Sequence, residues 1–214
     1  MSGSESRSEA IADAIRSAIV TGRLKPGERI VEDVVAEEHD VSRVPVREAL
    51  RRLEAEGFIT LTPHRGATVV APSRRAGLEL LAVRRGLEVL AARLASERRG
   101  EGYERQLLET VEQETEASQR HDVEAGLRLS LHFHEVVRLA SGNEQLRVML
   151  SRLVERISWV FELDVDQRSA GAAADHSAIT HAILHGASIQ AAYLMDEHVA
   201  QDEELYRART PLGT

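Results

Sequence analysis

The stretch Ser42–Val70, SRVPVREALRRLEAEGFITLTPHRGATVV, changes its apolar period once, and that change fixes much of what the chain can become. Val46, Leu50 and Leu53 recur at the spacing of one buried helix face. Ser42 stands where a helix N-cap is expected. Pro45 falls in the first turn, where a missing N–H costs nothing, and Gly57 can end the helix. From Phe58 the pattern alternates apolar and polar around Pro63-His64-Arg65-Gly66, as in a β-hairpin with a basic tip. Upstream, Ile11, Ala14, Ile15, Ala18 and Ile19 repeat with helical spacing across Ser8–Thr21. Pro26-Gly27 suits a tight turn. VEDVVAEEH reads as a short helix, with Asp40 in a left-handed position at its end. Two short helices joined by HDVS and followed by a basic hairpin make a winged helix-turn-helix.

The remainder carries no convincing strand pattern. APSRRAG (Ala71–Gly77) reads as a linker. Helical patterns then cover Leu78–Arg99, Tyr103–Arg120, Val123–Ala140, Glu144–Leu163, Ala174–His185 and Ser188–Arg207, with DVDQRSAGAAAD as a loop or frayed start. Only 3% of the 214 residues are aromatic while 43% are apolar, so the core must be aliphatic, which favours helices over sheets. The expectation is a mainly α chain. Residues 1–72 form the winged helix-turn-helix, and residues 73–214 form an all-α bundle. The absence of cysteine excludes disulfides, thiolate zinc sites and thiol nucleophiles. No apolar run approaches the ~18 residues of a membrane span. The polar start MSGSESRSEA lacks a signal-peptide core, so a cytoplasmic location is expected.

A net charge of −8 argues against a nucleic-acid binder, but its distribution does not. SRVPVREALRR holds four Arg against one Glu. Arg43, Arg47 and Arg51 are four residues apart and share one helix face. An Arg fork can take the O6/N7 edge of guanine in the major groove. In the wing, Gly66 lets the backbone approach closely, and His64 and Arg65 can touch the minor groove or the backbone. Elsewhere His134, His176 and His198 lie in apolar helical runs. Three imidazoles on separate helices can hold a metal. They can equally be hydrogen-bonded polar residues in a helical core.

PGERIVEDVVAEEHDVSRVPVREALRRLEAEGFITLTPHRGATVV resembles the DNA-binding domain of the GntR family of bacterial transcription regulators, over roughly Ile11 to Val70. The resemblance places DNA contacts on Arg43, Val44, Arg47, His64 and Gly66. Val44 stands where Thr is common, His39 replaces a usual Leu, and His64 replaces a usual Asn. Leu78–Arg207 resembles the FCD ligand-binding domain of the FadR-like branch. The matching segments are LLAVRRGLEVLAARLA, FHEVVRLASGNEQL, DHSAITHAILHGA and AAYLMDEHV. That resemblance implies a homodimer and a cavity for a small effector, an organic acid, often beside a divalent metal held by one Asp and three His. Here the histidines fall on His134, His176 and His198, while the Asp position is Ser130. Losing that carboxylate favours imidazole-preferring ions such as zinc or nickel. Arg84 falls where the family often has an Arg facing the cavity, able to clamp a carboxylate. The alternative for Arg84 is a salt bridge with Glu88, one turn on.

The expected function is a ligand-responsive regulator, acting as a repressor on a pseudo-palindromic double-stranded operator, and not an enzyme. Two alternatives stand beside it. One is a metal-dependent hydrolase on the three histidines, with Asp175 as its nearest general base. The other is a DNA-binding protein with no effector, with Ser130 marking a relic site.

Overall fold

The computed structural model describes residues 3–62, 66–71, 73–161 and 169–209. The chain divides into two compact units, Met1–Ser73 with Ser158–Glu162, and Arg74–Ile157 with Leu163–Thr214.

The first unit contains α1 (Gly3–Val20), β1 (Arg29–Ile30), α2 (Glu32–Glu38), α3 (Arg43–Ala55), β2 (Ile59–Thr62) and β3 (Gly66–Val69). The apolar face of α1 (Ile11, Ala12, Ile15 and Ile19) is buried, as are Val46, Leu50 and Leu53 of α3. Burying an aliphatic side chain of this size contributes about 1.5–3 kcal/mol, so this interface is the main adhesive of the unit. Arg16 of α1 also grips Glu56, just past α3, through two nitrogens at 2.7 and 3.0 Å. Asp40 takes a positive φ of 50° after α2, as its position suggested. Ser42 does occupy the cap position in extended conformation, but its hydroxyl makes no capping hydrogen bond.

The hairpin pairs β2 with β3 in the register Ile59↔Val69 to Thr62↔Gly66. The sheet has a third strand that the sequence pattern did not suggest. The two-residue β1 pairs antiparallel with β3, Arg29 opposite Thr68 and Ile30 opposite Ala67, giving the order β1-β3-β2. Gly66 opens β3 with φ of 82°, a backbone conformation that glycine adopts without steric cost.

The second unit is helical among the described residues: α4 (Arg74–Glu97), α5 (Glu104–Gln119), α6 (Val123–Ala140), α8 (Ser169–Leu184), α9 (Ser188–Arg209) and most of α7 (Glu144–Phe161). Its core joins Ala91, Ala92 and Ala95 of α4, Phe133 and Val137 of α6, Ile179 and Ile183 of α8, and Met195 and Val199 of α9. Asp122 caps α6 by accepting the Ala125 N–H at 3.0 Å, and Asn143 caps α7 by accepting that of Leu146 at 3.1 Å.

Helix α4 begins at Arg74, so the last four residues of the expected linker are helical. Gly77 is buried within α4, and a Cβ added there would collide with the Tyr206 hydroxyl of α9. This glycine serves close helix approach rather than a turn. Helix α8 likewise starts at Ser169, five residues before the expected Ala174, because the Ala-rich run continues the helix upstream.

Candidate functional site

Two regions hold the residues singled out in the sequence. The first is the solvent face of α3. Arg43 and Arg47 are more than half exposed, at 60% and 56% of their side-chain surface. Arg51 is exposed on the same face, and Val44 is 61% exposed. Two carboxylates that the sequence did not point to face these guanidiniums. Arg47 Nε lies 2.8 Å from Glu32 Oε2, and Arg43 Nε lies 2.6 Å from Asp33 Oδ1. Both acids belong to the first turn of α2, so the turn between the helices lays α2 beside the start of α3. Exposed pairs of this kind contribute little stability and exchange readily. His64 and Arg65 lie outside the described residues; Gly66 is at the start of β3.

The second region lies inside the helical unit. His134 of α6, His176 of α8 and His198 of α9 meet there, buried to 5%, 0% and 9% exposure. The Nε2 atoms of His176 and His198 are 3.0 Å apart, and those of His198 and His134 are 3.3 Å apart. Two ligand nitrogens on a tetrahedral zinc at its usual bond length lie about 3.3 Å apart. Phe133 stacks on His176 with ring centroids 3.9 Å apart and 17° between planes, which holds that ring flat.

The far side of each ring explains why the Nε2 atoms turn inward. His176 Nδ1 is 2.7 Å from Glu114 Oε2, and His198 Nδ1 is 3.1 Å from Asp175 Oδ2. A carboxylate accepts, so these Nδ1 atoms carry a proton, and in a neutral ring so held Nε2 is the nitrogen with the lone pair. His134 Nδ1 is 3.4 Å from Glu88 Oε2, a contact too long for a well-formed hydrogen bond. Burial holds the His134 ring well below the usual imidazole range, at about 3, so it is neutral near pH 7. Burial and the neighbouring His176 push the His198 pKa down as well. Burial alone would raise the Glu88 carboxyl, but the neighbouring His134, Arg84 and Arg138 bring it down to about 2.

The result is three imidazoles whose Nε2 atoms converge, with carboxylates hydrogen-bonded behind His176 and His198 and Glu88 near His134. Bare lone pairs at 3.0–3.3 Å repel one another unless a cation or shared proton lies between them. Histidine metal sites are built this way, with the second ring nitrogen donating to a carboxylate. The donor set and its spacing therefore fit a divalent metal held by His134, His176 and His198.

A cavity of about 30 Å³ adjoins the histidines and includes Ser130, one turn before His134. Arg84 also lines it, at 5% exposure. Its Nη1 lies 2.7 Å from Asp202 Oδ2 and its Nε lies 3.7 Å from Glu88 Oε1. Arg84 thus lines the cavity and lies near Glu88, but its short contact is with Asp202. His132 is exposed, and His181 and His185 stack on the surface away from the centre.

Glu114 and Asp202 were missed in the sequence, and Glu88 was named there only as a partner for Arg84, not for His134. A signal was present for Glu88 and Glu114. Glu88 falls in the buried stripe Leu81, Arg84, Ala91, Ala95, and Glu114 in the stripe Leu107, Thr110, Ala117. A carboxylate in phase with a buried face needs a buried partner. Nothing in the local pattern says which residue that partner is.

Two family models match the chain: "Bacterial regulatory proteins, gntR family" over residues 7–69, and "FCD domain" over residues 79–201. The Nta operon transcriptional regulator of Aminobacter aminovorans is 33% identical over 70% of this chain and 70% of its own length. The HTH-type transcriptional regulator YdhC of Bacillus subtilis is 30% identical over 67% of this chain, a match spanning 64% of that relative. The solved structure of E. coli McbR/YncC shares the fold, with a TM-score of 0.72 and 22% identity over 98% of this chain and 99% of that one. The family and these relatives are regulators rather than enzymes, which sets aside the hydrolase alternative. Asp175, its supposed general base, is spent on orienting His198. A GntR-type helix-turn-helix joined to an FCD domain, together with these relatives, establishes that the chain belongs to the GntR family of bacterial transcription regulators.

Proposed function

We propose that this regulator is a cytoplasmic homodimeric repressor, released from a pseudo-palindromic operator by a small organic acid. In this reading residues 1–72 bind DNA and residues 73–214 bind effector and dimerise. Arg43, Arg47 and Arg51 enter the major groove, Val44 packs against the duplex, and His64, Arg65 and Gly66 form the wing contact. His134, His176 and His198 hold a divalent ion, zinc or nickel, which would act as a Lewis acid toward an acid effector. Arg84 lies beside them as a second anchor.

The observation that carries the effector reading is the inward convergence of three buried imidazoles beside an internal cavity. A helical bundle gains nothing in stability from that arrangement. Buried polar groups cost free energy unless a partner repays it. Regulation follows if the effector binds the DNA-competent and DNA-incompetent dimers with different affinity. Among the described residues no helix is long and apolar enough to cross a membrane.

The test is in vitro selection of the full-length protein on a pool of random duplexes. Two-fold protein symmetry predicts enrichment of two similar, inverted half-sites about one or more helical turns apart. Enrichment of a single asymmetric site, or of none, would overturn the dimeric operator reading.

A further inference from the structure

We propose that a cleft between α5 and α6 binds an organic cation, a primary alkylammonium, and that Glu114 both holds its charge and couples it to the three-histidine centre. The ammonium site stands on the cleft alone; its coupling rests on the reading of that centre as a metal site.

The cleft has a volume of about 300 Å³, at the small end of ligand pockets. Glu114 forms part of its wall, although the side chain is only 4% exposed. Its Oε2 is taken by His176 Nδ1 at 2.7 Å, while Oε1 has no hydrogen-bond partner among the described residues. Oε1 is not closed off from solvent either, and the cleft is the opening it meets. A carboxylate oxygen so nearly buried is costly to leave without a donor.

The lining sets the kind of ligand. It holds two carboxylates, Glu114 and Asp122, with the Ser118 hydroxyl and neither Lys nor Arg. His121, the one cationisable group of the lining, is exposed to water. An anion finds no buried counter-charge here. The N-terminus of α6, which could attract one, is already capped by Asp122, whose Oδ1 accepts the Ala125 N–H at 3.0 Å. A bare metal ion finds too few donors. Among the described residues only His134, His176 and His198 bring three ligand atoms together. An ammonium head needs only acceptors for its three N–H groups, and Ala117, Val123 and Gly126 give its alkyl chain an apolar wall.

The divalent ion enters the same charge count. On the reading above it binds Nε2 of His176, the far nitrogen of the ring that Glu114 holds. Glu114 then stands between two cations. A cation on Oε1 draws charge from Oε2 and lowers the basicity that the carboxylate lends to the ring. Each cation therefore weakens the other, by the same factor in either direction.

The experiment uses ligand-observed saturation-transfer NMR at pH 7 on full-length protein stripped of metal, with butylamine, butan-1-ol and butyrate. The expected result is that butylamine binds about tenfold or more tightly than the alcohol or the acid, and that Glu114→Gln removes the preference. Should Glu114→Gln fail to fold, Asp122→Asn, which keeps the cap of α6, still weakens butylamine and leaves butan-1-ol unchanged. An alcohol or acid that binds as well as the amine, an unaltered preference in folded Glu114→Gln, or no binding at all overturns the ammonium site. Competition against a chromophoric chelator then reads the coupling. Saturating butylamine should lower zinc affinity about fivefold or more, and should not do so in Glu114→Gln. Zinc affinity that butylamine leaves unmoved overturns the coupling. If the protein binds no zinc, the metal reading fails, while the comparison on stripped protein still decides the ammonium site.

Discussion

Glu114→Ala is the sharpest probe of the three-histidine centre, because Glu114 touches the site only through His176. Its Oε2 accepts from His176 Nδ1 at 2.7 Å, and both side chains are nearly or fully buried. Removing the carboxylate leaves a fully buried imidazole without its acceptor. The ring is then free to take the other tautomer, in which Nε2 carries the proton and cannot ligate. Loss of such a supporting partner typically lowers metal affinity 10–100-fold, or about 1.4–2.8 kcal/mol. The assay is competition for zinc against a chromophoric chelator at fixed pH, with circular dichroism to check the fold. Glu112→Ala, which removes an exposed carboxylate from the same helix, is the control and should leave affinity unchanged. Glu114→Gln keeps an acceptor but loses the charge, so it should fall between the two. A folded Glu114→Ala protein with parental zinc affinity would refute the reasoning that carboxylates set the tautomers.

Three further outcomes are expected. Arg47→Ala should weaken specific operator binding by roughly 1–3 kcal/mol in an anisotropy titration while the protein stays folded; unchanged affinity removes Arg47 from the base readers. Glu32→Gln deletes the carboxylate 2.8 Å from Arg47, so binding to a non-operator duplex should tighten by roughly 1 kcal/mol or less; weaker binding would mean that Glu32 positions Arg47 rather than competing for it. Leu50→Ala empties a fully buried position between α3 and α1 and should cost about 2–5 kcal/mol in denaturant unfolding; a loss under about 1 kcal/mol would mean this face is not the core of the first unit.

Local patterns in the sequence carried α3 and the hairpin well, because their determinants are local. Val46, Leu50 and Leu53 announce a helix face by period alone, and the alternation after Phe58 announces the hairpin. The strand β1 was invisible for the opposite reason. Two residues have no period, and Arg29–Ile30 become a strand only by pairing with Thr68 and Ala67, nearly forty positions away. Gly77 misled in the same way. Its local signal is that of a break, while its actual role is set by Tyr206 across the bundle. At the histidine centre the three ligand candidates were readable, but their orientation was not. It depends on Glu114 and Asp175, and for each the partner histidine lies on another helix, more than twenty residues away. The same holds for Asp202, whose pairing with Arg84 across more than a hundred residues no local pattern announces.

The most direct test of the account is the metal content of full-length protein purified without added metal or chelator, measured per chain by elemental mass spectrometry. The geometry of His134, His176 and His198 predicts about one zinc or nickel per chain, falling sharply in His176→Ala. Protein that carries no metal, and that retains none after zinc is added back and the excess removed, would contradict it.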